Sequence, residues 1–234
     1  MHGGGMIIGT VGDSDAFCSQ IAQELGIAVF SVDYRLAPKY PYPLPMDDCE
    51  AGYLWALENA TRFGFDSKKL ALGGDSAGAG LAAGLVQRLL DTGKQLPLGQ
   101  VLKYPMLDDR TAANRELDGT TFVWNNTSNY FGWKSYLNAE PGSTDLPQHA
   151  VPARRQDLTG LPPTYIAVGE IDLFFAEDKD YADRLSASSV DTVFNSYPGF
   201  PHAGELVAPD AKVSKRFNAD LLAWLQARFQ ATAS

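Results

Sequence analysis

Short apolar stretches alternate along the chain with longer segments in which apolar residues recur at helical spacing. The short stretches are rich in β-branched side chains, which is typical of buried parallel strands. They lie at Ile27–Val32, Leu70–Gly73, Val101–Met106, Tyr165–Val168 and Thr192–Tyr197. The helical segments lie at Asp48–Leu57, Ala77–Leu90, Asp180–Leu185 and Lys215–Phe229. This alternation predicts βαβ units, and therefore an α/β fold with a mainly parallel sheet and helices on both faces.

Two stretches interrupt the alternation. Residues Lys39–Pro45 are rich in proline, which fixes φ and removes a backbone donor, so this stretch is predicted to be irregular. Residues 108–152 have no clear strand pattern but are dense in aromatic side chains. Because loops of this length are usually lids or binding segments, we interpret residues 108–152 as an irregular lid or pocket segment. For its aromatic stretch, Phe122–Tyr136, plain core packing is the alternative. Since no repeat or low-complexity linker divides the sequence, residues 1–234 are predicted to form one α/β domain.

Composition and charge exclude several classes of protein. Hydrophobic residues make up 45% and charged residues 20%, a balance typical of globular proteins. The net charge of −9 argues against nucleic acid or an anionic membrane as a partner, and no apolar run approaches the roughly 18 residues that span a bilayer. The 2 cysteines and 3 histidines are scattered singly, so neither a disulfide scaffold nor a metal site is predicted. The sequence shows no secretion signal, which predicts a cytoplasmic location, and a homodimer is left open.

The strongest local signal is GDSAG at residues 74–78, a GxSxG pattern that follows the Leu70–Gly73 run and opens a helix. A nucleophile elbow requires this context, because a strained strand-to-helix turn exposes the serine hydroxyl. Ser76 is therefore the candidate nucleophile, and the backbone amide of Ala77, at a helix N-terminus, is expected to face the substrate. Asp75 adjoins the serine but lies on the tight turn, so we interpret it as holding the loop rather than transferring protons.

A second motif, HGGG at residues 2–5, stands at the start of the sequence. In α/β-hydrolases the backbone N–H groups of such a motif complete an oxyanion hole with the residue after the nucleophile. Glycines are needed there because the peptide groups must point at the substrate with no Cβ in the way. Gly3, Gly4, Gly5 and Ala77 are therefore the candidate oxyanion donors.

The two motifs occur in the order and spacing of the bacterial hormone-sensitive-lipase family of carboxylesterases, which the chain resembles over essentially its whole length. YRLAP at residues 34–38 stands between them, and YPMLD at 104–108, LPP at 161–163 and GEID at 169–172 continue the match. The resemblance implies an α/β-hydrolase fold and a serine carboxylesterase that needs no cofactor. It also implies small-molecule esters of short to medium chain length as substrates.

The catalytic base is predicted from chain order, which in α/β-hydrolases is serine, acid, histidine. Two histidines follow Ser76. His202 comes directly after a predicted strand, near the end of the sheet where catalytic loops gather. His149 precedes the strand that should carry the acid, which is the wrong order. His202 is therefore the candidate base.

The catalytic acid should follow the Tyr165–Val168 strand, where three carboxylates stand close together. These are Glu170, Asp172 and Glu177. Similarity to the family's pattern at this loop selects Asp172, and Glu170 is the alternative. In that role Asp172 would hold the tautomer of His202, which would take the Ser76 proton and return it to the leaving alcohol.

The sequence departs from the family at its start. Family members carry several dozen residues before HGGG, which supply the first strands and the cap helices, whereas here Met1 directly precedes His2. We therefore expect a fold that lacks those strands and cap helices, a loosely held HGGG loop and weak catalysis. Two alternatives to an esterase stay open: a catalytically weak or inactive hydrolase-like binding scaffold, and an amidase that uses the same triad.

Overall fold

The computed structural model describes residues 1–117, 119 and 121–231 of the chain. Its strands are β1 (Ala71–Asp75), β2 (Gly99–Lys103), β3 (Thr164–Gly169) and β4 (Thr192–Tyr197). Its α-helices are α1 (Asp15–Leu25), α2 (Leu44–Glu58), α3 (Ala60–Phe63), α4 (Ala77–Asp91), α5 (Asp109–Ala113), α6 (Asn126–Leu137), α7 (Phe175–Ala187), α8 (Gly204–Val207) and α9 (Lys212–Ala231). Short 3₁₀ helices lie at Val11–Ser14, Arg115–Leu117 and Pro152–Arg154.

The four strands form one parallel sheet in the order β1-β2-β3-β4. Parallel neighbours need a crossover connection, and α4 supplies it between β1 and β2 while α7 supplies it between β3 and β4. Every residue of β2 and β3 is buried, as expected for strands that are covered on both faces. Within the described ranges, no helix combines the length and the apolar character needed to cross a bilayer.

Two apolar clusters cover the opposite faces of the sheet. On one face, Leu102 of β2 packs in a cluster with Ala82 of α4 and Tyr181 of α7. On the other face, Val101 belongs to a cluster with Leu221 of α9, and side chains of α1 pack against it. Val101 and Leu102 are successive residues of one strand, whose side chains point to opposite faces. The prediction of a parallel sheet with helices on both faces is therefore confirmed.

The predicted strand at Ile27–Val32 is wrong, because this stretch pairs with none of the described strands. Phe30 is 39% exposed and packs against the rings of Trp55 and Phe63. An apolar β-branched run becomes a strand only where a neighbour offers backbone donors and acceptors. Here a groove lies between the run and β1, so the run has no such neighbour on that side.

The segment at residues 108–152 is not irregular, which corrects a second prediction. It contains α5 and α6, and the side chain of Asn125 caps the first turn of α6. Trp133 and Tyr136 on α6 are fully buried, so part of the aromatic content is core packing. The helix was missed because its buried face also carries polar residues such as Asn126, which leaves no continuous apolar stripe.

Candidate active site

Ser76 lies on the turn where β1 ends and α4 begins. Its φ of 54° and ψ of −117° place a non-glycine residue in a rarely populated conformation. The turn is tight, since a Cβ on Gly74 would lie 2.4 Å from the backbone carbon of Gly78. The amide of Ser76 donates a hydrogen bond to the carbonyl of Lys103 at 2.9 Å, which ties the turn to the end of β2. The strand–turn–helix context predicted for GDSAG is thus present.

The side chains of Ser76, His202 and Asp172 form one hydrogen-bonded chain. Nε2 of His202 lies 3.0 Å from Oγ of Ser76, and Nδ1 lies 2.8 Å from Oδ2 of Asp172. The second carboxylate oxygen of Asp172 accepts the amide of Phe174 at 3.0 Å, which fixes the orientation of the carboxylate. All three residues of the chain are buried. An imidazole that donates from one nitrogen to a carboxylate presents the other nitrogen as a proton acceptor, so this arrangement can activate a hydroxyl.

The other two candidate acids lie away from the imidazole. Glu170 is exposed and accepts a hydrogen bond from Oγ of Ser196 at 2.9 Å. Glu177 is buried, and its Oε1 accepts two backbone amides from the chain that follows β2. Of the three carboxylates, the structure brings Asp172 to His202.

The two remaining histidines have other partners. His149 lies 2.7 Å from a carboxylate oxygen of Asp91. His2 is buried beneath the ring of Tyr34, with the ring centroids 4.2 Å apart and an interplanar angle of 12°. Because of these partners, we interpret His149 and His2 as structural residues rather than as residues that transfer protons.

Three aromatic rings surround the imidazole of His202. The ring centroids of Tyr104, Phe174 and Trp124 lie 4.6, 5.3 and 6.5 Å from that of His202. The Trp124 ring also lies against the HGGG loop, since a Cβ on Gly5 would approach it to 2.3 Å. These rings keep the environment of the imidazole apolar, which strengthens its hydrogen bonds. Trp124 lies in the aromatic segment that the sequence predicts to be a lid or pocket. Tyr104 is not predicted as a site residue, although its position directly after β2, at the carboxyl end of the sheet, indicates such a role.

The glycine loop lies directly beside the nucleophile. A Cβ on Gly3 would lie 3.5 Å from the Cβ of Ser76. Gly4 and Gly5 have φ values of 108° and 60°, a backbone conformation that glycine adopts without strain. Across the described residues, the amides of Gly3–Gly5 and of Ala77 donate no backbone hydrogen bond. These donors are therefore free to bind a developing oxyanion.

The glycine loop is held on both sides, which corrects the expectation of a loose loop. The amine of Met1 donates to the carbonyl of Gly73 at 2.8 Å, and the amide of Asp75 donates to the carbonyl of Met1 at 3.2 Å. From the other side, the hydroxyl of Tyr34 donates to the carbonyl of His2 at 2.7 Å. Hydrogen bonds to β1 and to Tyr34 thus fix the residues that lead into the glycines.

Fold and site geometry together define an α/β-hydrolase. Residues 1–205 match the protein family described as having the alpha/beta hydrolase fold, and the chain belongs to that family. The predicted fold class is therefore confirmed.

Solved structures and named relatives give a finer comparison. The chain is similar to a bacterial heroin esterase, with a TM-score of 0.92 and 40% identity over 97% of this chain and 73% of that one. It is also similar to the esterase LipW from Mycobacterium marinum, with a TM-score of 0.90 and 38% identity over 97% of this chain and 71% of that one. The esterase LipI of Mycobacterium tuberculosis is 32% identical over 85% of this chain and 64% of its own length.

The chain spans between about half and two thirds of the length of its curated relatives, for example 64% of LipI and 52% of Lipase 2 from a Moraxella species. These proteins carry the names of esterases and lipases. The resemblance to the hormone-sensitive-lipase family of carboxylesterases is therefore confirmed.

Proposed function

We propose that this protein hydrolyses carboxylic esters through an acyl-enzyme formed on Ser76. The observation that carries the proposal is the buried chain of hydrogen bonds from Ser76 through His202 to Asp172, beside a glycine loop with free amides. The esterase and lipase names of the relatives support the same class of reaction.

In the proposed mechanism, Oγ of Ser76 attacks the ester carbonyl carbon while its proton passes to Nε2 of His202. Asp172 stabilises the imidazolium through Nδ1, and the amides of Gly3, Gly4, Gly5 and Ala77 are the donors that receive the negative charge on the carbonyl oxygen. His202 then gives its proton to the leaving alcohol oxygen, which leaves the acyl group on Ser76. A water molecule then attacks the acyl carbon while His202 takes its proton, and His202 gives that proton to Oγ of Ser76 as the bond to the acyl carbon breaks and the acid is released.

Small esters of short to medium chain length are the substrates we propose. The ring of Trp124 supports this, because it lies against Gly5 and next to His202 and so limits the room beside the reacting carbonyl. The net charge of −9 supports a small ester rather than nucleic acid as the partner, and no cofactor is needed for this reaction. A cytoplasmic location and a homodimer stay predictions from the sequence.

The test is hydrolysis of nitrophenyl acetate, butyrate, octanoate and palmitate by the parent and by Ser76→Ala. We expect turnover to be highest on the shorter esters and to fall by about 10⁶-fold in Ser76→Ala, the loss seen when a serine protease loses its nucleophile. The melting temperature should change little, because a single hydroxyl contributes little packing. Ser196→Ala is the matched control, since its hydroxyl bonds Glu170 outside the site, and it should keep the parent kcat.

Three outcomes would contradict the proposal. Substantial turnover by Ser76→Ala would show that Ser76 is not the nucleophile. Failure of a fluorophosphonate to label the parent at Ser76 would favour an inactive binding scaffold. Faster turnover of nitroanilides than of nitrophenyl esters would favour an amidase.

A further inference from the structure

A buried cluster of charged side chains lies behind the proposed active site. Nζ of Lys103 lies 3.1 Å from Oδ1 of Asp75 and 2.8 Å from Oε1 of Glu205. The hydroxyl of Tyr104 donates to the same oxygen of Glu205 at 2.5 Å. Lys103 is 3% exposed and Glu205 is 4% exposed, so their charges are almost completely removed from water.

The protonation states follow from this arrangement. Burial by itself would lower the pKa of Lys103, but the carboxylates of Asp75 and Glu205 outweigh burial and raise it. Burial and the same two carboxylates raise the pKa of Tyr104 well above its usual value. Lys103 is therefore a cation and Tyr104 a neutral donor at physiological pH, and both donate to Glu205. Buried ion pairs add little to the stability of a protein, since apolar residues of similar volume often stabilise it equally well. We therefore look for a role of the cluster other than stability.

Each member of the cluster is joined to one element of the site. Asp75 directly precedes Ser76, and the carbonyl of Lys103 accepts the amide of Ser76 at 2.9 Å. Glu205 lies on α8, directly after the loop that carries His202. The cluster therefore connects the turn of the nucleophile to the loop of the base through the end of β2.

Tyr104 completes the connection by direct contact with the base. Its ring meets the imidazole of His202 at 4.6 Å in an edge-on arrangement. Its φ of 36° is unusual for a non-glycine residue, and such a conformation persists only where the surroundings hold it. The hydrogen bond from its hydroxyl to Glu205 and the hydrogen bond from its backbone amide to the carbonyl of Ala167, at 2.7 Å, hold Tyr104 in this position.

We propose that Glu205 is a positioning residue, whose carboxylate holds the Tyr104 ring against His202 and joins the loop of the base to the turn of Ser76. The proposal rests on the proposed esterase function. The carboxylate of Glu205 bonds Tyr104 and Lys103 rather than Ser76, so it acts through other residues. Its effect is on how often Nε2 of His202 and Oγ of Ser76 are aligned for proton transfer, and a misplacement of about 1 Å costs on the order of 10²-fold in rate.

The test compares Glu205→Gln with the parent for kcat, KM and the rate of fluorophosphonate labelling. We expect kcat and the labelling rate to fall together by about 10- to 100-fold, with KM almost unchanged, because alignment is lost and substrate binding is not. Tyr104→Phe, which removes only the hydroxyl, should lower kcat in the same direction. Because both variants weaken or remove the hydrogen bond between Tyr104 and Glu205, the double variant should lose little more than Glu205→Gln alone.

The matched control is Glu50→Gln, which removes another buried carboxylate that is paired with Arg88, at 3.0 Å, and with Lys94. It should lower the melting temperature and leave kcat at the parent value, which separates lost stability from lost alignment. Parent kcat in both Glu205→Gln and Tyr104→Phe, or an equal fall of kcat in Glu50→Gln, would overturn the proposal. A parent that neither labels with fluorophosphonate nor hydrolyses esters would instead overturn the esterase function.

Discussion

The carboxyl ends of the strands and the outer edge of β1 differ in burial and in hydrogen bonding. At the carboxyl ends, Ser76, His202 and Asp172 are each at most 6% exposed and hydrogen-bonded to one another. Along the outer edge, every residue of β1 is only half-buried, and the strand faces a groove of about 490 Å³. The apolar run Ile27–Val32 forms part of the opposite wall of this groove.

Only the last part of that edge is hydrogen-bonded. Met1 pairs with β1 in parallel register, since its amine donates to Gly73 and its carbonyl accepts from Asp75. Backbone groups of alternate residues point to opposite edges of a strand, so the amides of Ala71 and Gly73 point into the groove. Throughout the described residues, neither amide has a backbone partner outside the β1–β2 ladder. Hydrogen bonds between loops therefore hold the site together, whereas among the described residues the groove side of β1 keeps backbone amides without a backbone partner.

The largest effect should come from breaking the site while leaving the edge untouched. Asp172→Asn preserves the shape of the side chain but presents the wrong hydrogen-bonding group to Nδ1 of His202, so we expect kcat to fall by about 10⁴-fold. Steady-state kinetics should show KM changed far less. Glu170→Gln, the neighbouring acid that bonds Ser196 instead, should be mild by comparison. The reverse ranking would reassign the acid.

Filling the edge should affect stability more than chemistry. An extended, apolar segment of about six residues joined to the amino group of Met1 can continue the parallel pairing toward Ala71 and cover the groove. We expect a higher melting temperature, at about 2–4 °C for each kcal/mol gained, and a smaller gain in kcat than the 10²–10³-fold that a misplaced oxyanion hole would allow. The gain in kcat is limited because Tyr34 and β1 already hold the HGGG loop.

A control for the added segment is the same sequence with proline at a position that should donate to β1, since proline has no N–H. The proline variant should lose most of the gain in melting temperature. Equal melting temperatures for the parent, the extended protein and its proline variant would show that the groove does not accept a strand.

The smallest effect concerns Asp178, a fully buried residue at the start of α7. Burial, followed by the nearby carboxylates of Glu177 and Asp172, raises its pKa well above the usual value. The folded state therefore favours the protonated form of Asp178. The contribution of this residue to the free energy of unfolding is complete below about pH 3.9 and is lost as the pH rises toward the raised pKa. Asp178→Asn keeps a neutral group there, so its melting temperature should exceed that of the parent by a few degrees at pH 8.

At pH 4 the Asp178→Asn variant and the parent should melt at nearly the same temperature. Glu177→Gln is the useful contrast, because the Glu177 carboxylate accepts backbone amides that an amide side chain would satisfy less well. A gap between Asp178→Asn and the parent that does not widen from pH 4 to pH 8 would contradict the assigned direction of the pKa.

Most of the sheet could be predicted from the sequence because its signals are local. The strand at Thr192–Tyr197 has the predicted bounds, and α9 extends the predicted helix by 3 residues at its start and 2 at its end, from Lys215–Phe229 to Lys212–Ala231. Ile27–Val32 has the same local signal as these strands, and it fails because its pairing depends on a neighbour that the local sequence does not specify. The prediction is wrong for helix α6 for the opposite reason, since the polar residues on its buried face leave no continuous apolar pattern at helical spacing.

By itself the sequence determined the nucleophile turn and the glycine loop as candidates, because each requires small residues at fixed local spacing. The tertiary structure decided which carboxylate meets His202, a contact across 30 residues, and that Tyr104 meets Glu205, a contact across 101 residues. It also decided that Lys103, a single charge in an otherwise apolar run, has two carboxylate partners. Such pairings depend on where distant loops converge at the end of the sheet, and no local pattern carries that information.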